Sequence, residues 1–307
     1  MSDDSKDESG SDQDESSTSA SIDELLVYLI DSITARFEAP ENSVAGTATG
    51  FQDLDNLTTG MQTGDLIVVG GRPSMGKSAF AMNIALHGAI KEERPAIIFS
   101  MEMSRHQVAE RLLSAHGRIA LQHIRTGRMT DREWEQASKA IEELGNGNLV
   151  IDDSPSLSID ELVKKSNEYA GKFEKQLSLI VVDYVQLMAG NAATTPETRS
   201  TQLGEVTRRL KALARQLNCT VIAISQLSRS LESRFDKRPV LSDIRDSGSI
   251  EDDADVTMFI YRDDYYTAEN SKIPGVAEII VAKQRNGPLG TVLLAFLKPL
   301  LLFENLQ

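Results

Sequence analysis

From residue 71 the chain reads Gly71-Arg72-Pro73-Ser74-Met75-Gly76-Lys77-Ser78-Ala79. Glycines at 71 and 76 let backbone N–H groups curl round a polyanion. Lys77 brings a charge to that anion, and the Ser78 hydroxyl is placed to ligate a cation held by the same phosphates. ATP with Mg²⁺ is the ligand this spacing suits; a structural glycine-rich turn is the bland alternative and would need neither Lys77 nor Ser78. The apolar run DLIVVG precedes the motif and a helical stretch over 78–90 follows it, so a helix would point its positive end at the anion.

Three more residues end apolar runs and could act on the same phosphates. Asp183 closes LSLIVVD, where a strand-end carboxylate can support Mg²⁺ beside Ser78. By itself such an aspartate would read as a turn cap; the phosphate loop makes the metal role the better reading. Glu102 follows AIIFSM, and Ser104 with Gln107 already forms the capping box of the next helix. Glu102 is therefore free to orient or deprotonate an attacking water. Gln226 closes VIAISQ and could contact a γ-phosphate oxygen, the alternative being a surface glutamine in a loop. His87, His106, His116 and His123 have no zinc-like spacing to cysteines or acids, so magnesium is the one metal expected.

Positioning these groups requires strands and helices in alternation, and the sequence supplies them. Strands are expected at 65–70, 96–101, 148–152, 177–183 and 219–225, with helices at 78–90, 105–116, 131–144, from the Ser158/Glu161 capping box onward, and at 202–217. Fully apolar strands alternating with amphipathic helices imply an α/β fold with a mainly parallel twisted sheet covered on both faces. DVTMFIYR, VAEIIVAKQ and TVLLAFL are joined by short polar or glycine-containing turns and are expected as antiparallel strands at the C-terminal end.

The chain has 307 residues and a formal charge of −14, and residues 1–20 hold seven acids against Lys6. Residues 1–21 are expected to be a disordered acidic tail, residues 22–38 a helix opened by Ser21 and Glu24, residues 39–48 a flexible connection, and residues 49–307 the main domain. The helix carries Ile22, Leu25, Leu26, Leu29, Ile33 and Phe37 on one face, which must pack either on its own domain or on another subunit. The remaining acidity excludes a uniformly basic DNA-binding surface but allows a local basic lining. No run approaches the length of a membrane span and no signal peptide opens the chain, which points to the cytoplasm and to no membrane partner. Cys219 lies in CTVIAI and is expected to be buried.

Taken together, GRPSMGKSAFAMNIA, FSMEMS, IRTGRMT, LIVVDYVQLM, LKALARQLNCTVIAISQLSR, DIRDSGSIEDDAD and AKQRNGPLGTVLLAFL resemble the successive blocks of DnaB-type replicative helicases, from about residue 22 to the end. The resemblance implies a RecA-like P-loop ATPase that forms a homo-hexameric ring, closes ATP sites between subunits and draws single-stranded DNA through its centre. It implies that Lys77 and Ser78 hold phosphate and magnesium, Glu102 activates water, Asp183 supports the metal and Gln226 senses the γ-phosphate. It further implies that Lys283 and Arg285 enter the neighbouring subunit's site; without it they would read as a solvated strand end. Arg245, Asp246 and Gly248 match a loop that grips the DNA backbone, and Arg199, in the loose stretch 190–204, matches a second; ordinary exposed connections are the alternative for both. A helicase loader, a primase or a related helicase are the further partners implied.

Two departures accompany the resemblance. Family members usually carry a separate helical N-terminal domain, where this sequence has an acidic tail. Leu300, Leu301 and Leu302 stand where a Tyr-Thr-Arg-like triplet is usual, which is expected to weaken a nucleotide contact and expose an apolar patch. Two other functions share part of the pattern: a RecA-like recombinase or clock-type ATPase, which would not be expected to combine DIRDSGS with AKQRNG, and a ring-docking protein that inhibits or remodels another helicase.

Overall fold

A computed structural model of the chain describes residues 21–38, 44–188, 196–244 and 248–306. The chain divides into two units between Ser43 and Val44. The described part of the first is helix α1 (Ile22–Glu38), opened as expected: Glu24 N–H donates to Ser21 Oγ at 3.3 Å and Ser21 N–H to a Glu24 carboxylate oxygen at 2.9 Å.

In the second unit the chain runs α2 (Gln52–Thr58), β1 (Leu66–Gly71), α3 (Lys77–Leu86), β2 (Ala96–Ser100), α4 (Arg105–Gly117), α5 (Leu121–Thr126) and α6 (Asp131–Asn146). It continues through β3 (Leu149–Asp152), α7 (Ile159–Ala170), β4 (Leu179–Asp183), α8 (Pro196–Gln216), β5 (Thr220–Gln226), α9 (Gly248–Asp253) and β6 (Val256–Tyr261). It ends with α10 (Asp263–Thr267), β7 (Val276–Gln284), β8 (Gly290–Leu297) and β9 (Leu302–Asn305). The nine strands form one sheet in the order β3-β2-β4-β5-β1-β6-β7-β8-β9. Pairing is parallel from β3 to β6 and antiparallel from β6 to β9.

Alternation along the central strands builds one core on each face of the sheet. Ile67, Val69, Ile98, Val181 and Ile224 pack with Phe80 and Ile84 of α3, whereas Val68, Ile97, Phe99, Val182 and Ala223 pack with Leu210 and Leu213 of α8. Burial on both faces is why these runs lack a polar alternate position, and it fixes their register. Three helices, α4, α6 and α7, start with reciprocal Ser/Thr–Gln/Glu capping boxes, so where they begin is set locally by Ser104, Thr130 and Ser158.

The C-terminal strands are antiparallel as expected, and β6 adds on its other edge a parallel pairing with β1, from Ile67↔Val256 to Gly70↔Phe259. Several expectations are corrected. Helix α8 begins at Pro196, so Arg199 lies in a helix rather than a loose loop. The connection expected to be flexible to residue 48 is already joined to the main unit at Thr47, whose N–H donates to Met61 O at 2.7 Å. Leu300, Leu301 and Leu302 are half-buried rather than exposed, because the chain turns back there and β9 pairs with β8 through Leu297↔Leu302. Cys219 is buried, and burial pushes its thiol up to about 12. Among the described residues no helix is long and apolar enough to cross a membrane.

Candidate functional site

The register of the parallel strands gathers the phosphate loop and its partners at one edge of the sheet. Gly71 at the end of β1 lies opposite Gln226 at the end of β5, and Ser100 at the end of β2 lies opposite Asp183 at the end of β4. Between them opens a cavity of about 540 Å³ lined by Lys77, Ser78, Glu102, Asp183 and Gln226, with Pro73, Ser74, Gly76 and Ala79 contributed by the loop. Ligand crevices in open α/β sheets form at this carboxyl edge. The loop has the left-handed backbone needed to turn successive N–H groups inward: Ser74 has φ 65° and Gly76 φ 101°. A Cβ at Gly76 would also come within 2.9 Å of the Phe303 ring, so glycine is required there on two counts.

Lys77 sits in the cavity with its Nζ donating to Arg72 O at 3.2 Å. Burial depresses its pKa, while Asp183 and Glu102 favour its charge. Asp183 is buried, and burial raises its pKa, reinforced by Glu102 and opposed by the Ser78 hydroxyl, Lys77 and Arg111. Its Oδ2 is a buried acceptor with no hydrogen-bond partner. An orphaned carboxylate oxygen beside a serine hydroxyl and a lysine fits a hard cation carried by a polyphosphate, so Ser78 and Asp183 are the residues that would hold Mg²⁺.

Glu102 is exposed to the cavity from the turn between β2 and α4, across from Lys77. Sequence reasoning missed Arg111, which lines the cavity one turn beyond Gln107 on α4. Burial lowers its pKa, opposed by the attraction of Asp183 and Glu102. The signal was present: Gln107 and Arg111 are four apart, hence on one helix face, and Gln107 starts that face at the site. Arg262 and Lys298 add positive charge at the far side, Arg262 stacking 4.7 Å from the Phe296 ring centre and donating to Ser74 O at 3.3 Å. Four cations and two carboxylates suit a polyanionic ligand.

Arg72 and Met75 supply backbone to the loop, but their side chains leave the cavity. Met75 is buried in the core, and the Arg72 guanidinium turns to Glu232 at 2.7 Å and to Leu227 O at 2.9 Å. Burial of a guanidinium requires such partners, and they lie on the segment after β5 rather than on the ligand side.

Lys283 and Arg285 stand at the opposite edge of the sheet. Antiparallel pairing of β7 with β6 puts Lys283 across from Thr257, next to the start of β1, with a bulge at that point. Arg285 is level with the start of β1, about 17 Å of strand from the phosphate loop, and Lys283 is level with Val68, about 10 Å from it; neither lines the cavity. The two residues are therefore not brought to the cavity of their own chain. Arg245 and Asp246 lie outside the described residues; Gly248 opens α9, and the backbone of Arg199 lies near the start of α8.

Residues 46–305 match the family described as DnaB-like helicase C terminal domain. The chain is 47% identical over 286 residues to the replicative DNA helicase DnaB of Geobacillus stearothermophilus, covering 93% of this chain and 62% of that protein. It is 45% identical to the replicative DNA helicase DnaC of Bacillus subtilis (strain 168), with the same shares covered. The chain thus spans about 62% of the length of these curated relatives. Among solved structures, the ATPase domain of G40P superposes with a TM-score of 0.86 at 37% identity over 94% of this chain and 100% of that one. A DnaB-like replicative helicase, solved in a study of its interactions with primase, gives 0.83 at 38% identity over 94% of this chain and 68% of the other. With a RecA-like sheet, a phosphate loop in its expected place and a family match over most of its length, the chain belongs to the DnaB-like helicase C-terminal domain family.

Proposed function

We propose that the chain is the ATP-driven motor of a replicative DNA helicase, acting as a homo-hexameric ring in the cytoplasm and translocating on single-stranded DNA. The observation that carries the proposal is the division of catalytic groups between opposite edges of one sheet. Lys77, Ser78, Glu102, Asp183 and Gln226 share a cavity that Lys283 and Arg285 do not line, which supports reading those two as groups for the cavity of another copy. In such a site Lys77 neutralises the phosphates, Ser78 and Asp183 hold Mg²⁺, Glu102 orients or deprotonates water and Gln226 contacts the γ-phosphate. An arginine entering from a neighbour supplies transition-state charge only when the subunits close, which couples turnover to subunit movement.

DNA contact is proposed for the segments at 245–248 and around Arg199, through phosphates rather than base edges, as a sequence-independent motor needs. Primase, the partner named for one solved relative, is a further proposed contact, alongside a helicase loader or a related helicase.

Complementation between subunits tests the reading. Lys77→Ala should remove ATP turnover with the fold intact, and Arg285→Ala should remove it nearly as completely. Mixed rings should recover part of the activity, because intact fingers then meet intact cavities. Unchanged turnover in Lys77→Ala, or no recovery on mixing, would overturn the shared site.

A further inference from the structure

Asp255 occupies the junction of three functional segments. Its N–H donates to Leu66 O at 2.9 Å, and its carbonyl accepts the Arg285 N–H at 2.9 Å. One carboxylate oxygen, Oδ2, accepts from Leu66 N–H at 2.8 Å and from Lys211 Nζ at 2.5 Å; the other, Oδ1, stands 3.2 Å from Arg285 Nη1. Asp255 is buried and Arg285 half-exposed, so the aspartate is the fixed partner and the arginine the movable one.

The same cations also close the end of α9. Arg285 Nη2 donates to Asp252 O at 2.8 Å, while Lys283 Nζ donates to Glu251 O and to Asp252 O. The last carbonyls of a helix have no intrahelical donors, and cationic side chains are favoured partners for them. Helix α9 follows residues 245–247 directly, and α8 follows residues 189–195. The two helices are tied together where Thr207 Oγ1 meets Asp253 Oδ2 at 2.7 Å, and α8 reaches Asp255 through Lys211. The segments proposed to hold DNA therefore lie at the starts of two helices linked to one buried carboxylate, α8 through Lys211 and α9 through Arg285, the arginine proposed to enter a neighbour's site.

We propose that Asp255 is a positioning residue for Arg285: it holds the finger on its own subunit's α9, so that the finger's move to a neighbour's γ-phosphate uncaps α9 and passes the event to the DNA-holding segments. The inference rests on the reading of Arg285 as completing a neighbour's site. A γ-phosphate and Asp255 compete for one guanidinium, and a ligand shifts such an equilibrium only by its differential affinity for the two positions. Asp255 sets the weight of the resting position. The β7 bulge beside Lys283 supplies a backbone irregularity at which the strand end can be re-aimed.

Asp255→Asn keeps the shape and an acceptor oxygen but removes the charge that retains Arg285. In the assembled ring, ATP turnover without DNA should rise roughly 5-fold, and stimulation by oligo-dT should fall by a similar factor, with the KM for ATP unchanged. Turnover that is unchanged, or that falls equally with and without DNA, overturns the proposal. Should the variant not fold, amide hydrogen exchange of residues 248–256 in the wild-type ring decides. Exchange should be faster with a non-hydrolysable ATP analogue than with ADP, and equal protection overturns the proposal. Arg285→Ala at full turnover would remove the finger reading and this inference together. An inactive Arg285→Ala beside an unaffected Asp255→Asn would remove the inference alone.

Discussion

Ser78, at the start of α3, shares the cavity with Asp183, at the end of β4, where its hydroxyl counters the rise that burial imposes on the carboxyl pKa, and Asp183 Oδ2 is buried with no partner. Burial raises the Asp183 pKa, with Glu102 adding to the rise and Ser78, Lys77 and Arg111 opposing it. On the proposed metal role, Asp183→Asn keeps the shape but removes the charge. Turnover should fall roughly 100-fold or more, and raising the magnesium concentration should restore little of it. Thermal stability should be unchanged or slightly higher, since a buried charge has been removed. A melting temperature lowered by several degrees would show that the carboxylate is structural instead.

Gln186 links the ends of β4 and β5 beside the cavity. It is buried just after β4, its Nε2 donating to Ser225 Oγ at 2.8 Å and its Oε1 accepting the Gln226 N–H at 3.3 Å. Gln186→Leu leaves both groups unsatisfied in a buried place, costing about 1–3 kcal/mol in urea denaturation. It also frees the backbone that aims Gln226, so kcat should drop roughly 10- to 100-fold. A stability loss with unaltered kcat would separate Gln226 aim from this bond.

What was legible in the sequence was whatever short range decides. Ser104 with Gln107 and Ser158 with Glu161 form their boxes within four residues, and LIVVD or VIAIS can only be strands buried on both sides. That Glu102, Asp183 and Gln226 lie together at one cavity was legible because a strand's end is marked by the residue where apolarity stops. Pairing direction is not so marked: an apolar run such as VTMFIY suits a parallel neighbour on one edge and an antiparallel one on the other. Arg72 could not be placed because its partner Glu232 is 160 residues distant, and the leucines at 300–302 could not be seen as covered until β9 was folded back onto β8.

The phosphate loop rests on the C-terminal strand. The Phe303 ring lies 5.5 Å from that of Phe80 on α3 and 4.5 Å from that of Phe296, and its N–H donates to Asn83 Oδ1 at 2.7 Å. Phe303→Ala should cost about 3–5 kcal/mol and, by loosening the floor under Gly76, weaken binding of a fluorescent ATP analogue. Gly76→Ala should abolish that binding. In the double variant Gly76→Ala/Phe303→Leu the clash is eased but the left-handed backbone at residue 76 is not, so only part of the affinity should return. Full recovery would mean that crowding alone, and not backbone conformation, requires glycine.

At the outer edge of the sheet, Asp152 on β3 accepts from Lys165 Nζ at 2.7 Å, Tyr169 OH at 2.8 Å and Ser154 N–H at 2.9 Å. Burial alone would raise its pKa, but Lys165, Ser154 and Tyr169 together outweigh burial and hold it at about 2, below the ordinary 3.8. Because the folded value lies below the unfolded one, the stabilisation is complete above about pH 4 and is lost as pH falls through 2. With Lys165 partly exposed, its size is roughly 1–2 kcal/mol after solvent screening. Urea curves of wild type and Asp152→Asn should differ by that amount at pH 6 and converge toward pH 2; a gap independent of pH would mean the carboxylate's charge contributes nothing. The edge matters to the site because the next residue, Asp153, accepts the Arg105 N–H at 2.9 Å and so anchors the start of α4, three residues after Glu102. Acid loosening of β3 should therefore reach Glu102 before it reaches Lys77, whose loop is held by the central strands.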